Sequence, residues 1–263
     1  MTSAITKNRD HLAQHRRLIL GRAIAAGVAG SLPIPIVEEW ITAAIKRNTI
    51  RRLAEARNVD IESKAVNTIA DGANRPPEWA EIAGGRFILR LLSRSWRRVL
   101  IGVLTVRRLN ATSRNFLVSL LFDHYCARLH VGGGLTEESG TELRKLIDHA
   151  IKTTPGGLNR RLFRRALLRA AKVSVRTPLE LANWVTGGSV RKLLKRGDEV
   201  EAVEEVADVV DRELGKKKSF LSRAVSAAEF ELAVPSNPYL HALVDRFETV
   251  WNDREDQKNR DHA

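Results

Sequence analysis

Apolar residues recur every three or four positions over most of the chain, and no stretch alternates apolar and polar residues with the period of two that a strand requires. This pattern predicts helices and no sheet. Turn-forming residues separate the periodic segments, as at Gly132-Gly133-Gly134 and at Pro155-Gly156-Gly157. We therefore expect an all-α protein, a multi-helix bundle of about nine to twelve helices around one core.

Some helix ends carry signals of their own. Thr136, followed by two glutamates, predicts the start of one helix, and Asn237-Pro238 predicts the start of the last one. Thr112 or Ser113 is the predicted cap of a helix over residues 115–129. These signals are local, so they predict where helices begin without predicting which helices pack together.

A proline corner near the start of the chain is the predicted centre of the bundle. Gly21, Ala25 and Ala29 recur at four-residue spacing, which leaves one helix face nearly bare and lets another helix approach closely. Pro33 and Pro35 then remove two amide donors and force the chain to turn. A longer amphipathic helix follows, so the segment is predicted to form a proline-cornered helical hairpin.

This segment resembles the helical hairpin shared by EcsC-like proteins and the membrane-associated domain appended to some bacterial GTPases. The resemblance covers residues 18–60 and rests on the small-residue run, on Leu32-Pro33-Ile34-Pro35 and on the long helix after an acidic position. Those families often read Pro-x-Pro-Gly-x-Asp at the corner, where this chain has Ile36 and Glu38. The resemblance implies an all-α, membrane-associated bacterial protein and brings no catalytic residue with it.

The expected organisation is a single all-α domain over residues 15–252, with 131–135 as the place for a sub-boundary. A flexible N-terminus, 1–14, and a disordered charged tail, 253–263, flank it because both are rich in polar and charged residues. The chain has 263 residues and is 43% apolar, which suffices for a core. Its lone Cys126 fits a reducing compartment, so we expect a cytoplasmic protein.

One stretch has about the length that a bilayer-spanning helix needs, Leu18 to Val37. Arg22 and the two prolines interrupt it, so the preferred interpretation is a buried helix of a bundle. A shallow or re-entrant membrane segment is the alternative. Arg22 also interrupts the apolar run that a secretory signal would require, and we predict no signal peptide.

Charge is segregated along the chain, whose formal net charge is +13. Residues 86–130 hold nine arginines and one aspartate, a balance of +8, and residues 158–196 hold eleven basic residues and one glutamate, a balance of +10. Residues 197–214 hold eight acidic residues and one arginine, a balance of −7. Either both basic blocks form a surface for phosphates, or the acidic helix packs against the second block and neutralises it. The acidic helix does not account for the first block.

In the first basic block, the arginines are interspersed with Leu, Ile, Val, Phe and Trp96, which is typical of an interfacial membrane helix. Nucleic-acid surfaces more often combine Lys and Arg with Asn, Gln, Ser and Gly. A core helix whose long arginines reach outward to solvent would show the same pattern. The predicted contacts with an anionic surface are Arg90, Arg94, Arg97, Arg98, Arg107 and Arg108.

Signs of catalysis are weak. His11 and His15 have the spacing of two metal ligands on one helix face, but no third ligand is near in sequence, so we interpret them as a solvated pair. Asp123, His124 and Cys126 bring reactive groups together, yet adjacent residues on a helix point apart. We therefore expect no catalytic residue, no cofactor and no metal.

The sequence thus favours a non-enzymatic helical protein that acts at a membrane surface or as a scaffold, and the resemblance implies that it is bacterial, with the inner membrane as the expected surface. Its expected partner is an anionic membrane surface or an acidic protein. The alternatives are a nucleic-acid-binding protein and an effector-type enzyme in a helical fold.

Overall fold

The computed structural model describes residues 10–30, 37–72, 106–158, 208–216, 219–232 and 237–261. Regular structure in these ranges is helical, apart from one isolated bridge between Ile61 and Leu135. The all-α prediction is therefore confirmed. The helices are α1 (His11–Gln14), α2 (Arg16–Ala29), α3 (Val37–Ala56), α4 (Ser63–Asp71), α5 (Val106–Arg128), α6 (Glu137–Thr153), α7 (208–215), α8 (Phe220–Leu232) and α9 (Pro238–Asp261).

Helix α2 lies at the centre of the described fold. Every residue from Ile19 to Gly30 is buried, because α1, α3, α5 and α8 all pack against this helix. A Cβ at Gly21 would overlap the side chain of Leu214 in α7, and a Cβ at Gly27 would overlap Thr112 in α5. The close approach predicted from small residues is thus present at Gly21, and Gly27 provides a second close contact on another side of the helix.

Helices α2 and α3 pack along each other, as the hairpin prediction requires. The α3 residues Trp40, Ile41 and Ile45 are buried in the core, and Thr42 donates from its hydroxyl to the Ala26 carbonyl at 3.4 Å. The corner itself, residues 31–36, lies outside the described residues. The role of Pro33 and Pro35 therefore stays a prediction.

Helix α5 is continuous through the position where the sequence suggested a helix start. It spans Val106–Arg128, so the prediction that Thr112 or Ser113 caps a helix was wrong. Thr112 is fully buried, against Gly27 of α2. A threonine hydroxyl acts as a cap only at the end of a helix. Thr112 lies inside α5, where it packs against Gly27 of α2.

The loop between α5 and α6 is joined to the chain that precedes α4. Leu135 donates its backbone N–H to the Asp60 carbonyl at 2.8 Å and accepts from the Glu62 N–H at 3.0 Å. Thr136 caps α6 in a reciprocal capping box with Ser139, which confirms the predicted start of this helix. Helices α4, α5 and α6 bury residues in the same core, so residues 131–135 connect parts of one core.

Both chain ends contain more structure than expected. Leu12 of α1 is buried in the core, so residues 11–14 belong to the fold and not to a flexible N-terminus. Helix α9 begins where Asn237 accepts two backbone N–H groups, as predicted, and continues to Asp261. The expectation of a disordered tail from residue 253 was therefore wrong over 253–261. The tail composition resembles disorder, but one carboxylate of α6, Glu142, pairs with both Arg254 and Lys258 of this part of the helix.

Helix α8 was not predicted, although its pattern is clear. It buries Leu221, Ala224, Val225, Ala228 and Leu232 at helical spacing and packs against α2. This packing contributes a further side of the shell around the central helix.

Candidate functional site

Most sequence-predicted site residues fall outside the described part of the chain. Arg107 and Arg108 belong to the first turn of α5, but their side chains are not described. The others lie outside the described ranges: Arg90, Arg94, Arg97, Arg98, Pro33 and Pro35. The first described buried residue of α5 is Leu109, which follows Arg107 and Arg108 directly.

The acidic segment is attached to the α2–α3 hairpin at its described end. Asp211 of α7 accepts from Arg22 at 2.7 Å, and Asp208 lies 3.6 Å from Arg52 of α3. The predicted helix that begins at Leu158 lies outside the described residues beyond Leu158 itself, so its packing against the acidic segment stays a prediction. At least two acidic side chains of this segment therefore pair with the hairpin.

Arg22 is a buried charge in the middle of α2. Its side chain is 1% exposed and donates from Nε and Nη2 to Asp211, at 3.3 and 2.7 Å, and from Nη1 to Asn48. Burial lowers the pKa of Arg22, and the charge of Asp211 opposes that effect. The arginine that interrupts the apolar run is thus paired inside the protein. No helix in the described ranges combines the length and the apolar character needed to cross a bilayer.

Three aspartates that lie in or near the core each bind two basic side chains. The ion-pair distances are between 2.7 and 3.1 Å, and four of the six contacts, those of His15, Arg47, Arg57 and Arg144, are also hydrogen bonds. The pairs are Asp71 with Lys46 and Arg47, Asp123 with His15 and Arg57, and Asp148 with Arg114 and Arg144. These carboxylates are therefore occupied within the fold.

A histidine cluster joins the N-terminal segment to α5. His11 Nε2 lies 2.9 Å from His124 Nδ1, and His15 Nδ1 lies 2.8 Å from Asp123 Oδ1. Asp123 and His124 point apart, as neighbours on a helix should, but each meets a histidine near α1. The interpretation of His11 and His15 as a solvated pair was therefore wrong, because a fully buried carboxylate and a buried imidazole on α5 need polar partners.

Two further residues complete this cluster, and sequence reasoning missed both. Arg57, just after α3, donates to both oxygens of Asp123, at 2.8 and 3.0 Å, and to the His11 carbonyl at 3.0 Å. Glu248 of α9 lies 3.2 Å from His124 Nε2. No group of three or more His, Cys, Asp or Glu in the described ranges could hold a metal ion. The cluster serves to hold four segments of the chain together.

Cys126 lies about one helical turn after Asp123 on α5 and is buried. Burial raises the pKa of its thiol, and the negative charge of Asp123 raises it further. The thiol therefore stays protonated near neutral pH, and a protonated, buried thiol is a poor nucleophile.

A cavity of about 570 Å³ lies between α5, the α5–α6 loop, α6 and α9. Tyr125 and Trp251 form its aromatic wall, with ring centroids 5.0 Å apart and planes at 62°. Tyr125 also shares a 3.2 Å hydrogen bond with His130. Burial is the main cause that raises the pKa of Tyr125 to about 12, so its hydroxyl is neutral at physiological pH. This volume lies in the range typical of small-molecule sites.

Charged side chains of α6 and α9 form the rim of this cavity. Arg254 lies over the Trp251 ring, 5.4 Å from its centroid, and donates to both oxygens of Glu142 and to Glu255. Burial alone would raise the pKa of Glu142, but hydrogen bonds from Arg254, together with the charge of Lys258, lower it instead. The same hydrogen bonds raise the pKa of Arg254 against the effect of burial. Both members of the Glu142–Arg254 pair are therefore charged at neutral pH.

Comparison with known proteins provides no relative from which a role could be transferred. No family model matches the chain, and no curated protein or solved structure matches it. The resemblance of residues 18–60 to EcsC-like proteins stays a prediction.

Proposed function

We propose that the protein is a non-catalytic, peripheral binding protein that attaches to an anionic membrane surface. The contact is made by the arginine-rich segment 86–108, which holds seven arginines and no acidic residue. Such a segment gains Coulomb attraction from anionic head groups and apolar burial from the residues between its arginines.

The observation that carries this proposal is how the fold uses its carboxylates. Asp71, Asp123, Asp148, Asp208 and Asp211 all pair with basic residues that lie outside segment 86–108. These five aspartates are therefore already engaged elsewhere and are poor candidates to neutralise the segment. We propose that the formal charge of +7 on this segment attracts an external anion.

The place of the segment in the sequence also supports the proposal. It leads directly into α5, which is anchored in the core by Leu109, Phe116 and Phe122. Because α5 is fixed in the core, a membrane contact made by the segment would attach the folded part of the protein to the membrane.

The candidate reactive groups support a non-catalytic role. Asp123 and His124 are buried and engaged with His15 and His11, and the Cys126 thiol is held protonated by burial. Each group has a structural role or an inert environment.

The first test is binding to vesicles of phosphatidylglycerol mixed with phosphatidylcholine. A variant with Gln at Arg90, Arg94, Arg97 and Arg98 should bind about 1,000-fold more weakly, since each basic residue near an anionic surface contributes about 1 kcal/mol. The matched control removes the same charge from exposed arginines elsewhere, with Gln at Arg212, Arg223, Arg246 and Arg260. Equal losses in the two variants would contradict the proposed contact.

The second test separates lipid from nucleic acid. In a variant whose other four tryptophans are Phe, anionic vesicles should shift the fluorescence of Trp96 to the blue, whereas duplex DNA should not. Because Trp40 is buried, a variant that keeps Trp40 and Trp96 serves as the check on folding. A shift caused by DNA alone, with affinity that falls steeply with salt, would favour the nucleic-acid alternative.

A further inference from the structure

We propose that the cavity between α5, α6 and α9 binds a small organic cation that carries a guanidinium group. The proposal is independent of the membrane contact, because the cavity lies on other residues and its rim is rich in the opposite charge. It rests on the aromatic wall, on the charges of the rim and on the room that the loop leaves open.

The aromatic wall is already used by a guanidinium of the protein itself. Arg254 lies over Trp251 and is held in place by Glu142 and Glu255. The ring of Tyr125, which is 5% exposed, packs against Trp251 at 62° and holds that indole in place at the edge of the cavity. Aromatic faces attract cations through their quadrupole, and guanidinium groups stack on them well.

The rim contains one more carboxylate than cation. Glu138, Glu142 and Glu255 face Arg254 and Lys258 around the cavity. Arg254 engages Glu142 and Glu255, and Lys258 lies 3.4 Å from Glu142. Among the described residues, Glu138 has no hydrogen-bond or ion-pair partner for its side chain. Glu138 is therefore the group that an incoming cation would meet.

The loop that lines one side of the cavity is open to solvent. Gly133 has no neighbouring atom within 4 Å of a Cβ placed on it, and Val131, two residues earlier, is 92% exposed. A guanidinium ligand with an aliphatic stem could place its charge beside Glu138 and its stem along Leu129 and Trp251, which line the cavity. In a chain with a net charge of +13, an acidic cavity with an aromatic wall selects for cations where the rest of the molecule selects for anions.

The test is isothermal titration calorimetry of the full chain with agmatine, which carries a guanidinium and a primary ammonium group. We expect binding at millimolar concentration or below. Putrescine, which has the ammonium groups alone, should bind more weakly, and glutarate should not bind. Glu138→Gln should weaken agmatine binding by about tenfold, the effect of losing one charge-assisted hydrogen bond.

Glu137→Gln is the matched control, because Glu137 lies on the same helical turn but pairs with Lys64 at 3.3 Å and does not line the cavity. This control should leave agmatine binding unchanged. Trp251→Leu should weaken binding as well, and thermal unfolding of each variant checks that the fold is retained. Failure of agmatine to bind, tighter binding of glutarate, or equal affinity in the Glu138→Gln and wild-type proteins would each overturn the proposal.

Discussion

Two regions of the molecule each contain an arginine that is paired with a carboxylate, but the surroundings of the two pairs differ. In the central region, Arg22 of α2 donates to both carboxylate oxygens of Asp211, and its side chain is 1% exposed. In the peripheral region, Arg254 of α9 donates to both carboxylate oxygens of Glu142, and the side chains of Arg254 and Glu142 are 18% and 39% exposed. The pKa of Arg22 is lowered because burial outweighs its partner, whereas the pKa of Arg254 is raised because its two carboxylates outweigh burial.

The difference shows that geometry alone does not determine what an ion pair contributes. A buried charge has lost its hydration, so removing its partner leaves an uncompensated charge. An exposed charge keeps water as a substitute partner, and its ion pair contributes little. The central pair should therefore be essential to the fold, and the peripheral pair should mainly hold one helix end in place.

The largest expected effect is that of Asp211→Asn. It should reduce the free energy of unfolding by about 3 kcal/mol, the lower end for breaking a buried pair, because Asp211 is 35% exposed and Asn48 still contacts Arg22. Urea unfolding at pH 7 measures this loss. Combining Asp211→Asn with Arg22→Met should recover most of it, since the buried charge is then absent. A loss in the single variant no larger than that of a surface pair would contradict the comparison.

Replacing a glycine by alanine should also reduce the free energy of unfolding more in the central region than at the periphery. Gly27→Ala would push a methyl group into Thr112, and we expect it to reduce the free energy of unfolding by about 1–3 kcal/mol. Gly133→Ala in the α5–α6 loop meets no atom within 4 Å and should cost much less. Thermal unfolding of both variants gives the comparison. Adding Thr112→Ala should relieve part of the Gly27→Ala loss, and strictly additive losses would show that the two residues do not press on each other.

The sequence predicted those parts of the fold that depend on local signals. The start of α6 at Thr136 and of α9 at Asn237 follow from capping chemistry that acts within three residues. The helical periodicity was sufficient for the all-α class. Helix α8 could also have been found, because its buried residues recur at helical spacing.

The parts that were wrong depend on distant partners. Thr112 looks like a cap until Gly27, from another helix, is placed against it. Arg254 and Lys258 look like a solvated tail, although their carboxylate, Glu142, lies more than a hundred positions earlier. No local pattern contains that pairing. One signal was nevertheless present: Trp251, Arg254 and Lys258 share one face of a helix by their spacing.

The histidine cluster and the cavity show the same limit at the level of the candidate site. The spacing of His11 and His15 indicated a shared helix face but not the buried Asp123 and His124 that the two histidines meet. The cavity combines residues of α5, α6 and α9, so its aromatic wall and its rim come together only in the folded chain.

The smallest expected effect is that of Glu142→Gln in the peripheral region. It should reduce the free energy of unfolding by less than about 1 kcal/mol at pH 7, because both partners keep contact with water. The effect should also depend on pH. The pKa of Glu142 is lowered in the folded state, so its contribution is complete above the unfolded value of about 4.3 and is lost as the pH falls through the folded pKa.

The difference between wild type and Glu142→Gln should therefore shrink toward zero as the pH falls below about 4, since a protonated glutamate resembles glutamine. Urea unfolding of both proteins over a pH series measures it. Glu137→Gln is the control, because its partner Lys64 is 77% exposed and screening by water should make its effect smaller still. A loss at neutral pH as large as that of Asp211→Asn would mean that the fork of Arg254 behaves as a buried pair, and the contrast between the two regions would then fail.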